Sequence, residues 1–307
     1  MSKELVLTII TNDDNSKLLP VIKDQAIGAI HDSDFTFFGK DVLSEGIAID
    51  IFFRGDAAGN IILKQAHEVF TAIFKDQPFD WFIQRECGRK KKMLIADMDS
   101  TMITIECIDE LADFAGIKDK VSKITESAMR GELDFEASLR QRVGLLAGMS
   151  TDVLQECFDT RVKFTKGAKR LVKTMQRGGH ETALVSGGFT FFTDKVSSEL
   201  GFNSNKANQL EEKDGKLTGS VLAPISDAQT KLFTLYELTC QNRLMIDDVI
   251  AVGDGANDIP MIAAAGIGAA YRAKAKAQDA ANFTINHSDL TSLLYIQGYT
   301  DDQIIKD

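Results

Sequence analysis

Two short stretches carry the residue types that could do chemistry. Asp97 and Asp99 stand one residue apart in Ile95-Ala96-Asp97-Met98-Asp99-Ser100-Thr101, at the end of an apolar run. A second acidic pair follows far downstream, in Val252-Gly253-Asp254-Gly255-Ala256-Asn257-Asp258, again closing an apolar run. Carboxylates this close repel one another unless a cation or a shared proton intervenes. Two acidic strand ends brought together in one α/β chain suit a divalent ion and phosphate chemistry. Ser186-Gly187-Gly188 and Lys231 add a hydroxyl, backbone N–H groups and an ammonium.

Each stretch alone has a plainer structural meaning. Asp-x-Asp can cap a helix, Ser-Gly-Gly can be a tight turn, and Lys231 can be one more surface lysine. Asp258 with Pro260 makes a good helix start. A calcium-binding EF-hand loop fails at Asp97, because its sixth position would be Met102 instead of Gly and its twelfth Ile108 instead of Glu. No Gly-x4-Gly-Lys-Ser/Thr phosphate loop occurs.

The elements that must position these residues fall into two textures. Residues 4–11 alternate and are β-branched, which predicts a strand. A helix follows over about 15–30, then a strand over 46–53, a helix over 61–74 and a strand over 79–84. This β-α-β-α-β order, with room for a fourth strand, predicts a small α+β domain over 1–87. Gly88-Arg89-Lys90-Lys91-Lys92 then reads as a solvated linker and strand flank. From residue 92 to 307 strands and helices alternate, which predicts an α/β domain with a Rossmann-like parallel sheet. Its strands are expected at 93–96, 181–185, 249–252 and 267–270, with Gly178-Gly179 closing the helix before the second. The segment at about 102–165 is helical in pattern and too long for a plain crossover, so it reads as an inserted cap. Residues 211–222 predict a hairpin turned at Asp214-Gly215. In open parallel sheets ligands bind at the carboxyl ends of strands, where the acidic pairs and Ser186 fall.

Composition narrows the function classes. A formal net charge of -10 argues against a nucleic-acid partner, whose phosphates need a basic surface. The four cysteines, Cys87, Cys107, Cys157 and Cys240, lack C-x-x-C spacing, so neither zinc nor a disulfide framework is expected. Leu5 to Ile10 is too short for a signal-peptide core, and no run approaches the roughly 18 apolar residues of a membrane span. A cytoplasmic enzyme with no membrane partner is the expectation.

The order of the motifs resembles the haloacid dehalogenase superfamily of phosphatases, and within it the phosphoserine phosphatases, over about 93–290. Asp-Met-Asp-Ser-Thr, Lys231, Gly-Asp-Gly-Ala-Asn-Asp and the cap residues Glu106, Met129, Arg130-Gly131, Phe135 and 138–143 carry the resemblance. It implies Asp97 as nucleophile, forming an aspartyl-phosphate, and Asp99 as the acid and base. Asp99 then needs a raised pKa, through like charge and desolvation. It implies Mg²⁺ held by Asp97, Asp254 and the backbone carbonyl of Asp99, with Asp258 in support. Lys231, Ser186, Gly187 and Asn257 are expected on the phosphate. Glu106 would take the ammonium and Arg142 the carboxylate of O-phosphoserine, under an apolar lid of Met129 and Phe135. Without the resemblance, Glu106 and Arg142 read as an exposed ion pair on a helix face. A phosphotransferase, a phosphatase for another small ester and a catalytically silent effector-binding protein are the alternatives. The first 87 residues resemble an ACT-type domain in their α/β order alone, as a regulatory module or a site of homodimerisation. Cys107 and the four histidines acquire no role.

Overall fold

The computed structural model describes residues 4–57, 60–129 and 133–306. Their strands form two sheets, one of four strands and one of seven. The first is built from β1 (Glu4–Ile10), α1 (Leu19–His31), β2 (Thr36–Ser44), β3 (Ala48–Arg54), α2 (Asn60–Phe74) and β4 (Asp80–Arg85). Its order is β2-β3-β1-β4, antiparallel throughout. The fourth strand for which the sequence left room is β2, giving β-α-β-β-α-β. Ile22, Ala26 and Ile30 on α1, and Ile62, Ala66, Phe70 and Phe74 on α2, recur every four residues. That spacing makes one apolar stripe on each helix. Both stripes pack on Leu5, Leu7 and Ile9, which share one face of β1 because successive strand residues alternate.

The other face of this sheet is buried too. Ile10, Leu43, Ala48 and Phe82 join the core of the second domain, and the rings of Phe82 and Phe283 lie 5.2 Å apart. Asp80 accepts from the backbone N–H groups of Asn286 (2.9 Å) and Ser288 (2.8 Å) and from the Ser288 hydroxyl (2.5 Å). The basic run expected to be a solvated linker is part of this seam. Arg89 pairs with the buried Asp50 at 2.6 Å, Lys91 is buried, and its N–H donates to Gln297 Oε1 at 2.9 Å.

The second sheet comprises β5 (Met93–Ala96), β6 (Glu181–Phe189), β7 (Ser204–Lys213), β8 (Lys216–Leu222), β9 (Val249–Gly253), β10 (Ile267–Tyr271) and β11 (Phe283–Ile285). Its order is β11-β10-β9-β5-β6-β7-β8, parallel except for the β7–β8 hairpin. Asp214 (φ 51°) and Gly215 (φ 72°) turn that hairpin in the left-handed region that a two-residue turn requires. β5, β9 and β10 are apolar and buried along their whole length, as central parallel strands covered on both faces must be. The chain leaves β5 through β6 and β7 and returns to β9 on the opposite side of β5. This reversal opens a crevice at the carboxyl ends of β5 and β9. Between β5 and β6 lie α3 (Cys107–Phe114), α4 (Lys118–Met129), α5 (Phe135–Gly144) and α6 (Asp152–Arg161). α7 (Ala168–Arg177), α8 (Thr190–Leu200) and α9 (Ala228–Gln241) complete the longer helices. Among the described residues no helix is long and apolar enough to cross a membrane.

Candidate active site

Asp97 follows β5 directly, and its N–H donates to Val252 O on β9 at 3.0 Å, tying the two acidic strand ends together. The chain then makes a tight turn closed by Ile103 N–H to Met98 O at 3.0 Å. Inside it Ser100 adopts φ 56°, a conformation costly for a residue with a side chain. The Ser100 hydroxyl donates to Glu106 Oε1 at 2.7 Å, and Asp99 Oδ1 accepts from the Cys107 N–H at 3.1 Å. The acid of the first motif and the acid at the start of α3 are thereby fixed by one turn.

Lys231 projects from α9 into the floor of the crevice and is 0% exposed. Its Nζ lies 2.5 Å from Asp97 Oδ1 and 2.6 Å from Asp258 Oδ1. The other Asp258 oxygen accepts from the N–H groups of Asp254 (3.1 Å) and Gly255 (2.9 Å). Carboxylate oxygens of Asp97, Asp254 and Asp258 lie within 4.8 Å of one another. Asp258 is already occupied by Lys231 and two amides, so Asp97 and Asp254 are the carboxylates left for a cation. Asp99 Oδ1 is turned to the Cys107 N–H, and Asp99 is not a member of this acidic triplet.

The electrostatics fit that assignment. Burial, then the nearby Asp258, pushes the Asp97 carboxyl well above the ordinary range, with Lys231 only partly offsetting them. Burial and Asp258 push Asp254 up to about 7. Asp99 also rises to about 7, through burial first and the charge of Glu106 second. Burial disfavours the Lys231 ammonium, but Asp258 and Asp97 outweigh it and hold its pKa above the usual lysine value. Without an ion the crevice holds more negative charge than it tolerates, which matches a hard divalent cation with oxygen ligands.

Above this floor opens a cavity of about 530 Å³. Asp97, Asp99, Glu106, Phe135, Arg142, Ser186, Gly187, Asp254 and Asn257 line it. Lys231 and Asp258 reach the site from beneath, through Asp97. Met129 ends α4, but its side chain lies outside the described residues, as do Arg130 and Gly131. Ser186 Oγ accepts from the Gly188 N–H at 2.8 Å, leaving its own proton for a ligand. Burial presses the Arg142 pKa down while Asp109 and Glu106 support its charge. Burial raises the Glu106 carboxyl, against the hydrogen bond from Ser100.

The family model of haloacid dehalogenase-like hydrolases matches residues 94–263, a span holding both acidic strand ends, Ser186 and Lys231. The chain belongs to this family. Among curated relatives, the phosphoserine phosphatase of Saccharomyces cerevisiae is 39% identical over 99% of either chain. That of Archaeoglobus fulgidus is 43% identical over 82% of this chain and 72% of its own. A haloacid dehalogenase family hydrolase of Salmonella enterica superposes with a TM-score of 0.81 at 27% identity, covering 96% of this chain and 99% of that one. The unliganded probable phosphoserine phosphatase of Vibrio cholerae gives 0.75 at 32% identity, over 96% and 86%.

This haloacid dehalogenase-like hydrolase also uses residues that the sequence did not single out. The buried Asn208 amide donates to Gly187 O (2.8 Å) and Ser226 O (3.1 Å), and its Oδ1 accepts from Ser226 N–H at 2.7 Å. Ser226 Oγ in turn donates to Ser186 O at 3.0 Å. This brace holds the Ser186-Gly187-Gly188 strand end and is invisible in sequence, because its members meet only through the β6–β7 pairing. Asp109 and Lys274 also line the cavity. Asp109 had a signal, lying three residues after Glu106 and so on the same side of α3. Lys274 had none.

Proposed function

We propose that this hydrolase is a phosphoserine phosphatase, cleaving O-phospho-L-serine to L-serine and phosphate as the closing step of serine biosynthesis. The observation that carries it is the sharing of one cavity by Asp97 and Asp99 at its floor and Glu106 and Arg142 at its helical wall. The phosphoserine phosphatases among its relatives support the substrate.

Ionised Asp97 attacks phosphorus, and the bond from phosphorus to the seryl oxygen breaks. Asp99 passes its proton to that oxygen, serine leaves, and the phosphoryl group rests on Asp97 as an acyl phosphate. Ionised Asp99 then takes a proton from a water attacking the phosphorus. The bond to Asp97 breaks, phosphate departs and Asp99 is protonated again. A carboxyl near 7 is suited to both tasks at neutral pH. Lys231, the Ser186 hydroxyl, the Gly187 N–H and Asn257 serve the phosphoryl oxygens. Mg²⁺ is the ion assigned to Asp97, Asp254 and the Asp99 carbonyl, and when bound it neutralises charge on the phosphoryl oxygens. Asp258 steadies Lys231 and the Asp254 loop from behind.

Glu106 receives the substrate ammonium and Arg142 its carboxylate, for which a planar guanidinium is matched. Phe135 shields the site from water. We place the phosphatase domain at 92–307 with its cap at about 102–165, and an ACT-like regulatory or dimerisation domain at 1–87. Phosphate release from L-phosphoserine, with Mg²⁺ and with EDTA, beside phosphosugars and p-nitrophenyl phosphate, tests the reading. Metal-dependent, phosphoserine-selective release is expected. Unselective release would overturn the roles of Glu106 and Arg142, and none at all would favour a phosphotransferase or a silent binding protein.

A further inference from the structure

Ser138 sits in the second turn of α5 and lines the same cavity. It is 2% exposed, and its hydroxyl has no hydrogen-bond partner among the described residues. A buried polar group without a partner costs about 1–3 kcal/mol, so it calls for an explanation. The ordinary escape for a helical serine is a bond to the carbonyl four residues earlier. Here Asp134 O receives the Ser138 N–H at 3.0 Å as in any helix, but the hydroxyl makes no bond to it.

Its neighbours say what ligand it would meet. Phe135, Ser138 and Arg142 follow one another at helical spacing and all face the cavity. The Phe135 ring comes within 3.0 Å of where a Cβ on Gly187 would stand, so this face of α5 closes directly over the end of β6. Arg142 Nε donates to Ser138 O at 3.3 Å, which sets the guanidinium one turn beyond the hydroxyl. Acceptors crowd this part of the cavity, since Glu106 and Asp109 also line it. A ligand ammonium has no need of a further acceptor there. A ligand carboxylate has four lone-pair sites, more than a bidentate Arg142 fills.

We propose that Ser138 is a specificity-determining residue, its hydroxyl donating to the substrate carboxylate that Arg142 holds. The inference rests on the phosphoserine reading and deepens it. A hydroxyl turns about one bond between staggered positions, so the donor swings from the wall to the ligand without moving the helix. The same hydroxyl then rewards amino-acid phosphates over esters that lack a carboxylate.

The full-length enzyme and its Ser138→Ala variant are compared on O-phosphoserine, on 3-phosphooxypropionate, which lacks the ammonium, and on O-phosphoethanolamine, which lacks the carboxylate. A hydrogen bond to a charged group predicts that KM for phosphoserine and 3-phosphooxypropionate rises roughly tenfold, with kcat changed by about twofold or less. The rise for phosphoethanolamine should be at least about fivefold smaller. Thermal stability should hold or increase, because alanine removes an unpartnered polar group. Equal losses on all three esters, a loss confined to phosphoethanolamine, or an unchanged phosphoserine KM would each overturn the role. A wild-type enzyme indifferent to the carboxylate would overturn the phosphoserine reading itself. A selective wild type with an unaffected variant would sink the Ser138 role alone.

Discussion

Gly188 stands where any side chain would strike the Asp99 carboxyl: a Cβ there would lie 2.6 Å from Asp99 Oδ2 and 3.1 Å from Ser186 Oγ. The backbone angles impose no such demand, since Gly188 is not in the left-handed region. The requirement comes from close approach of the β6 end to the turn after β5.

Gly188→Ala therefore displaces Asp99 without removing it. General acid–base catalysis contributes about 10²–10⁴-fold, so kcat should fall by roughly 100-fold or more. Overpacking of this kind costs about 1–3 kcal/mol, which leaves the variant folded. Steady-state kinetics beside circular dichroism checks both statements. A variant with near-native kcat would show that Asp99 tolerates displacement and is not the proton donor.

Lys231 neutralises two buried carboxylates at once. Lys231→Met leaves Asp97 and Asp258 facing each other, and breaking a buried pair in this way costs about 3–5 kcal/mol. Adding Asp258→Asn removes one of the stranded charges, so the double variant should regain part of the stability in urea denaturation and none of the turnover. Independent, additive losses would mean that the two residues do not share the interaction seen here.

The raised carboxyls fix the sign of a pH effect. Asp99 and Asp254 both sit near 7 in the fold against an ordinary value of 3.8. Their neutral forms are favoured in the folded protein, so the stability they contribute is whole below the unfolded value and lost as pH rises through about 7. A divalent ion needs the ionised form of Asp254, and its stabilisation should grow across the same window. Thermal shifts produced by MgCl₂ in metal-stripped protein should increase from about pH 5 to about pH 8. A shift that is flat or largest at the acid end would contradict the carboxylate site.

Asp80 holds the two domains together through the 286–288 backbone. Asp80→Ala strands those N–H groups, at about 1–3 kcal/mol each. The seam should loosen, and trypsin should cut faster at Arg89 and Lys90. Cleavage at the wild-type rate would mean that the apolar contacts alone hold the seam.

The parts of this molecule legible in sequence are those whose signal is local. The acidic strand ends and the hairpin at Asp214-Gly215 each lie in short, distinctive stretches, and β5 and β9 are unbroken apolar runs, whereas Lys231 stands out only through the family resemblance. β2 hid because Gly39-Lys40-Asp41 interrupts it and two register shifts spoil its alternation. β11 has only three residues, and the first half of β7 is polar, so neither shows a period. The Asn208–Ser226 brace and the orphaned Ser138 hydroxyl depend on which strands and helices become neighbours. Arg89 and Lys91 misled for the same reason: a basic run looks solvated until its partners, Asp50 and Gln297, are brought to it by the fold.

The contact of Phe82 with Phe283 bears on how freely this architecture can be cut and recombined. The four-stranded sheet is a cover over apolar surface of the larger domain, since Phe283, Ile285, Leu290 and Ile296 belong to the same core as Ile10 and Phe82. A chain begun at Gly88 would bare those side chains, and its freshly exposed patch would make it adhesive. Trading the first domain for an unrelated one, by gene fusion or by engineering, therefore demands a second change: polar residues along 283–296 that let that surface meet water alone.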